Sequence, residues 1–127
     1  MIPIVIRGEI HSSKNSRNIL RANNGRTYVV KSSAAKADEE NMLYQLLEQK
    51  PTWEASQSRS THVCFHFIRK TRARFDFANI VQGVADAMVK AGYIDDDDVD
   101  HFIPEWAGYE VDKQNSGVRF WREEIIA

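Results

Sequence analysis

A single cysteine, Cys64, leaves the chain no partner for an internal disulfide. That scarcity, with no CxxC pair, points to a reducing compartment, and the expectation is a cytoplasmic protein. No apolar run approaches the ~18 residues of a membrane-spanning helix, so no membrane association is expected. The apolar run at residues 2–6 is too short for a signal peptide, and no basic region precedes it. The 6 glycines are dispersed and form no phosphate-cradling loop. Internal repeats and low-complexity linkers are absent as well. What remains is 127 residues, 43% of them apolar and 10% aromatic, enough to fill one core. The expectation is a single domain over residues 1–127.

Net charge is small, −1, but it is unevenly distributed. Residues 1–75 carry 13 Lys+Arg against 6 Asp+Glu, a net of +7. Residues 76–127 carry 4 against 12, a net of −8. A basic surface attracts phosphates, and an acidic cluster repels them unless it holds a cation. Metal-dependent cleavage of nucleic acid needs both. Two halves that merely neutralise each other across the fold would show the same split.

The pattern of elements points to an α+β fold. Residues 2–10 alternate β-branched residues as a strand does. Asn23-Asn24-Gly25 predicts a hairpin between residues 17–22 and 26–31. Ser32 or Ser33 then caps a helix to about Gln49, with Met42, Leu43, Leu46 and Leu47 at helical spacing and Pro51 as its stop. Residues 61–69 alternate again, with Val63, Phe65 and Phe67 on one face. The clearest helix follows a basic loop at residues 70–74. Phe77, Ile80, Val81, Val84, Ala85, Met88 and Val89 keep one face, Asp76 stands at the N-cap and Gly92 at C′. Strand-like sequence over 99–111, a turn at 113–117 and a strand over 118–125 complete the chain. The expected architecture is a mostly antiparallel or mixed sheet with two main helices packed on it.

Four aspartates, Asp95–Asp98, crowd just past this second helix. Carboxylate oxygens suit hard cations such as Mg²⁺. Adjacent like charges repel, and a helix C-terminus disfavours anions further, so a bound cation would remove a conflict. An N-cap and a solvated acidic loop would look the same in sequence. A helix from 77 to 91 is roughly 22 Å long, so the chain after Gly92 must turn back to bring these acids towards Asp76. His62, Cys64 and His66 share a strand face but offer only three donors about 7 Å apart at their Cα atoms, which fits a packed face better than a zinc site. Trp53, Trp106 and Trp121 are isolated and read as packing residues.

Two segments resemble a known family. Residues 72–79 read Arg-Ala-Arg-Phe-Asp-Phe-Ala-Asn, and residues 84–98 read Val-Ala-Asp-Ala-Met-Val-Lys-Ala-Gly-Tyr-Ile-Asp-Asp-Asp-Asp. Together they resemble the RusA-type Holliday-junction resolvases, whose pattern is a basic stretch, Asp-x-Asp-Asn, a helix, Ala-Gly and a hydrophobic pair before Asp-Asp. The N-terminal strand, the Ser13-Lys14-Asn15 loop and the hairpin fit as well, so the resemblance covers most of residues 1–100. Little of it extends beyond 101. Two positions depart from the pattern: the second aspartate is Ala78, and the lysine three residues after the Asn is Gln82.

The resemblance implies a homodimeric endodeoxyribonuclease that uses Mg²⁺, or Mn²⁺, to nick four-way or other branched DNA in a phage or prophage recombination system. It places catalysis and metal binding on Asp76, Asp96 and Asp97. Asn79, Asp95, Asp98, Asp100 and Lys70 are auxiliary candidates. Lys14, Arg17, Arg21, Arg26, Arg69, Lys70, Arg72 and Arg74 are the candidates for gripping DNA. A catalytically weakened or inactive DNA-binding homologue is the alternative that Ala78 and Gln82 raise.

Overall fold

A computed structural model describes residues 2–10, 17–21, 25, 27–31, 33–56 and 58–124. Eight elements follow one another: β1 (Ile4–Arg7), β2 (Arg17–Arg21), β3 (Thr27–Lys31), α1 (Ser33–Glu54), β4 (His62–Arg69), α2 (Phe77–Lys90), β5 (Ile103–Val111) and β6 (Gly117–Arg122). The order strand, hairpin, helix, strand, helix, strand, strand is the one read from the sequence. Strands β2 and β3 pair antiparallel as the Asn-Gly signal predicts, with Arg17 opposite Lys31. The other four strands form one mixed sheet in the order β1-β6-β4-β5. Strand β6 is antiparallel to both β1 and β4, whereas β4 and β5 run parallel. The parallel pair requires a crossover between β4 and β5, and α2 supplies it.

Alternation in β4 sends Val63, Phe65 and Phe67 into the core, at 1% exposure or less. They meet Ile4 and Ile6 of β1, Val118 and Phe120 of β6, and the apolar face of α2. That face is Ile80, Val81, Val84, Ala85, Ala87 and Met88.

Helix α1 runs past the stop expected at Pro51 and ends at Glu54. Proline removes one helical donor, but the last turn is held from outside. Trp53 is buried, its indole Nε1 donates to the Tyr93 carbonyl at 3.0 Å, and its ring stacks on Tyr93 at 5.2 Å. Tyr93 in turn donates its hydroxyl to the Leu46 carbonyl. Burial of one large aromatic contributes about 2–3 kcal/mol, enough to offset a missing hydrogen bond.

The two outer strands of the sheet are treated differently. At β1, α1 presents side-chain amides to the backbone. Gln49 exchanges hydrogen bonds with both Val5 N–H and C=O (3.0 and 2.8 Å), and Gln45 does the same with Arg7 (2.7 Å each). At the other side, β5 is nine residues long and its second half is largely exposed.

Candidate active site

Asp76 caps α2 with extended backbone geometry, φ −103° and ψ 119°. Its Oδ1 accepts from the Ala78 N–H at 2.9 Å and from the Asn79 N–H at 3.4 Å. Ala78, where the family pattern has its second aspartate, is exposed on the first turn. Asn79 is half-buried beside it.

At the far end, the Ala91 N–H closes the last turn on the Ala87 carbonyl, and Gly92 takes the left-handed conformation with φ +78°. Tyr93 and Ile94 then bury their side chains. These two anchors turn the acidic run back along the helix. Asp97 Oδ2 accepts a hydrogen bond from Gln82 Nε2 at 2.9 Å, well up the exposed face of α2. The chain after Gly92 therefore turns back along α2 as far as Gln82. From Asp76 to Gln82 remains roughly 9 Å of helical rise.

Gln82 holds a second acid. The same Nε2 donates to Asp86 Oδ1 at 2.9 Å, so the Asp86 and Asp97 oxygens lie at most about twice that distance apart. Asp86 was visible in the sequence only as part of a polar helix face. Its i, i+4 spacing from Gln82 was the signal that could have drawn it into the site. The hydrogen bond from Gln82 also holds the Asp97 carboxyl below the usual carboxylate range, with help from Asp96 and the backbone. Desolvation, which on its own raises a carboxyl, is outweighed at this residue.

The rest of the run is organised by local bonds. Asp96 Oδ1 accepts from the Asp97 N–H at 2.8 Å. Asp98 pairs with His101 Nδ1 at 2.5 Å, and its carbonyl accepts from the His101 and Phe102 N–H groups. Asp95 and Asp100 are exposed.

Among the described residues, one trio of candidate donors has its ligand atoms within 4.8 Å of one another, and it is His62, Glu105 and Glu123. Asp76, Asp96 and Asp97 do not form such a trio. His62 lies on the sheet face away from α2. The two glutamates reach it only because β5 and β6 flank β4, a neighbourhood that sequence spacing does not reveal. The Cys64 thiol sits on this face too, pushed up by partial burial and by the charges of Glu105 and Glu123, which keeps it protonated at neutral pH.

Of the basic candidates, Lys70, Arg72 and Arg74 are exposed in the loop before Asp76. Lys70 pairs with Glu9 at 3.5 Å. Arg69 is partly buried, with its guanidinium 4.7 Å from the Phe75 ring centre and one nitrogen donating to the Ile10 carbonyl. Arg17 and Arg21 belong to β2, and Lys14 and Arg26 lie outside the described residues. No helix among the described residues is long and apolar enough to cross a membrane. The chain matches no family model and no curated protein.

Proposed function

We propose that the protein is a Mg²⁺-dependent endonuclease of RusA type, a homodimer that nicks four-way or other branched DNA. The observation that carries the reading is the return of the acidic run onto α2. Asp97 docks on the helix that Asp76 caps, at the position where the family pattern has its lysine. Exposed arginines in the loop before Asp76 supply a cationic approach for the phosphates.

The donor set suits a hard cation, since every member is an exposed carboxylate with oxygen donors. Asp76, Asp96 and Asp97 would hold the ion, and Asp86 and Asp95 lie near enough in the chain to take part. Because the three principal acids are not gathered within 4.8 Å, contact through metal-bound waters, which Mg²⁺ retains readily, fits the spacing better than a closed protein cage. The ion would supply an activated water and stabilise the charge building on the phosphate. Asp98 is occupied by His101, and Lys70 by Glu9, which makes them weaker auxiliary candidates.

Nicking of a synthetic four-way junction, with and without Mg²⁺, tests the reading. Asp76→Asn is the sharpest variant. Asparagine caps a helix as well as aspartate does, so the fold should hold while nicking is lost. Asp96→Asn and Asp97→Asn should likewise abolish nicking. Ala78→Asp restores the family pattern on an exposed first turn and should raise the rate. Normal rates in the Asn variants would make Asp76 a cap and the acidic run a solvated loop. Tight junction binding by wild type and Ala78→Asp, with neither nicking, would favour the inactive DNA-binding homologue that Gln82 and Ala78 suggest.

A further inference from the structure

Trp106 and Tyr109 stand 49% and 43% exposed on β5. They do not stand alone. Trp106 meets Phe77 edge-on at 5.3 Å and Phe75 at 6.1 Å, and Tyr109 meets Phe75 edge-on at 5.3 Å. Phe75 and Phe77 are the two neighbours of Asp76. Arg72 and Arg74 complete the wall of a shallow cleft of about 450 Å³ over these rings. Neither arginine forms an ion pair among the described residues. The cleft therefore joins flat aromatic surface, open to solvent, with two guanidinium groups that have no acidic partner among the described residues, beside the first candidate catalytic acid.

That pairing has a chemical counterpart in an unstacked nucleotide, whose base offers a π face and whose flanking phosphates offer charge. A purely apolar partner would leave the two cations desolvated without compensation. A paired duplex would present no free base face. We propose that this cleft takes an unpaired or splayed nucleotide of branched DNA, with Trp106 stacking on the base and Arg72 and Arg74 holding the adjacent phosphates. The proposal rests on the DNA-processing reading and adds what selects branched over linear DNA: a free base beside Asp76.

The test measures binding of a four-way junction and of a fully paired duplex in the presence of a metal chelator, so that nothing is cut. Trp106→Ala should weaken junction binding about tenfold, the scale of one lost base–aromatic stack, while duplex binding changes less than twofold. Trp106→Phe keeps an aromatic face and should retain most of the junction affinity, which separates stacking from loss of fold. Equal weakening for both DNAs, or for neither, overturns the cleft as a base site while leaving the nuclease reading standing. A Trp106→Ala protein that turns from dimer to monomer in sedimentation overturns it too, because the cleft is then a contact between copies. Failure of wild type to bind either DNA removes the DNA reading and this inference with it.

Discussion

Asp98 and His101 show how single residues temper the acidic run. The Asp98 carboxylate accepts from the imidazole, and this bond, with further attraction from Asp95 and Asp96, raises the His101 pKa above its ordinary value. A raised histidine pKa adds stability that is fully present below the unfolded value, about 6.5, and is lost as pH rises through the folded value. Titration of the His101 ring by NMR should therefore give a value above 6.5, and Asp98→Asn should bring it back down. An unshifted ring would mean that the run is splayed into solvent and does not act as one charge cluster. The neighbouring Asp97 moves the opposite way, lowered by Gln82. Residue identities alone predicted strain among the four acids. What they could not show was that an amide from α2 would bond the Asp97 carboxylate and favour its charged form.

At the level of elements, legibility followed periodicity. Helix α2, with its seven apolar positions in register, its N-cap at Asp76 and Gly92 at C′, matches the sequence reading almost residue for residue. Helix α1 runs beyond its sequence signal because Pro51 is a local stop and the anchor that overrides it, Trp53 on Tyr93, joins residues 40 apart. The parallel pairing of β4 with β5 was also hidden, since strand order depends on which edges meet and not on alternation within a strand. The same blindness concealed His62, Glu105 and Glu123 as neighbours. One glycine fixes a strand junction in a way that can be tested. A Cβ on Gly117 would lie 1.9 Å from the Ile6 carbonyl oxygen, and the residue sits at φ +156°. Backbone on both sides leaves no flexible tip to move aside. Gly117→Ala should lower stability by roughly 3 kcal/mol, the upper range for overpacking, measured by denaturant unfolding. A loss below about 0.5 kcal/mol would mean that β1 and β6 are not held at the described register.

Across the whole molecule, the two charge halves of the sequence are joined by an ion pair between the helices. Lys90 of α2 pairs with Glu39 of α1 across the two halves, whereas Lys70 and Glu9 pair within residues 1–75, so neither pair reduces the basic excess. Arg119 and Glu110 pair within the acidic half, between β6 and β5. Arg72 and Arg74, in the loop next to Asp76, are exposed and form no ion pair among the described residues. The effective phosphate-binding charge should still be smaller than the net of +7 in residues 1–75 implies, because only the cations that face the DNA neutralise its phosphates. Each phosphate neutralised contributes a slope of about −0.9 to log affinity against log salt on duplex DNA. Replacing both Arg72 and Arg74 with Ala should reduce the magnitude of that slope by about 2 and weaken binding at low salt. It should leave unfolding stability within about 0.5 kcal/mol, because the side chains are exposed and form no ion pair among the described residues. A slope unchanged by the double substitution would place the phosphate contacts elsewhere, with the hairpin arginines Arg17 and Arg21 as the next candidates. A wild-type affinity indifferent to salt would remove phosphate binding from the account of this charge distribution altogether.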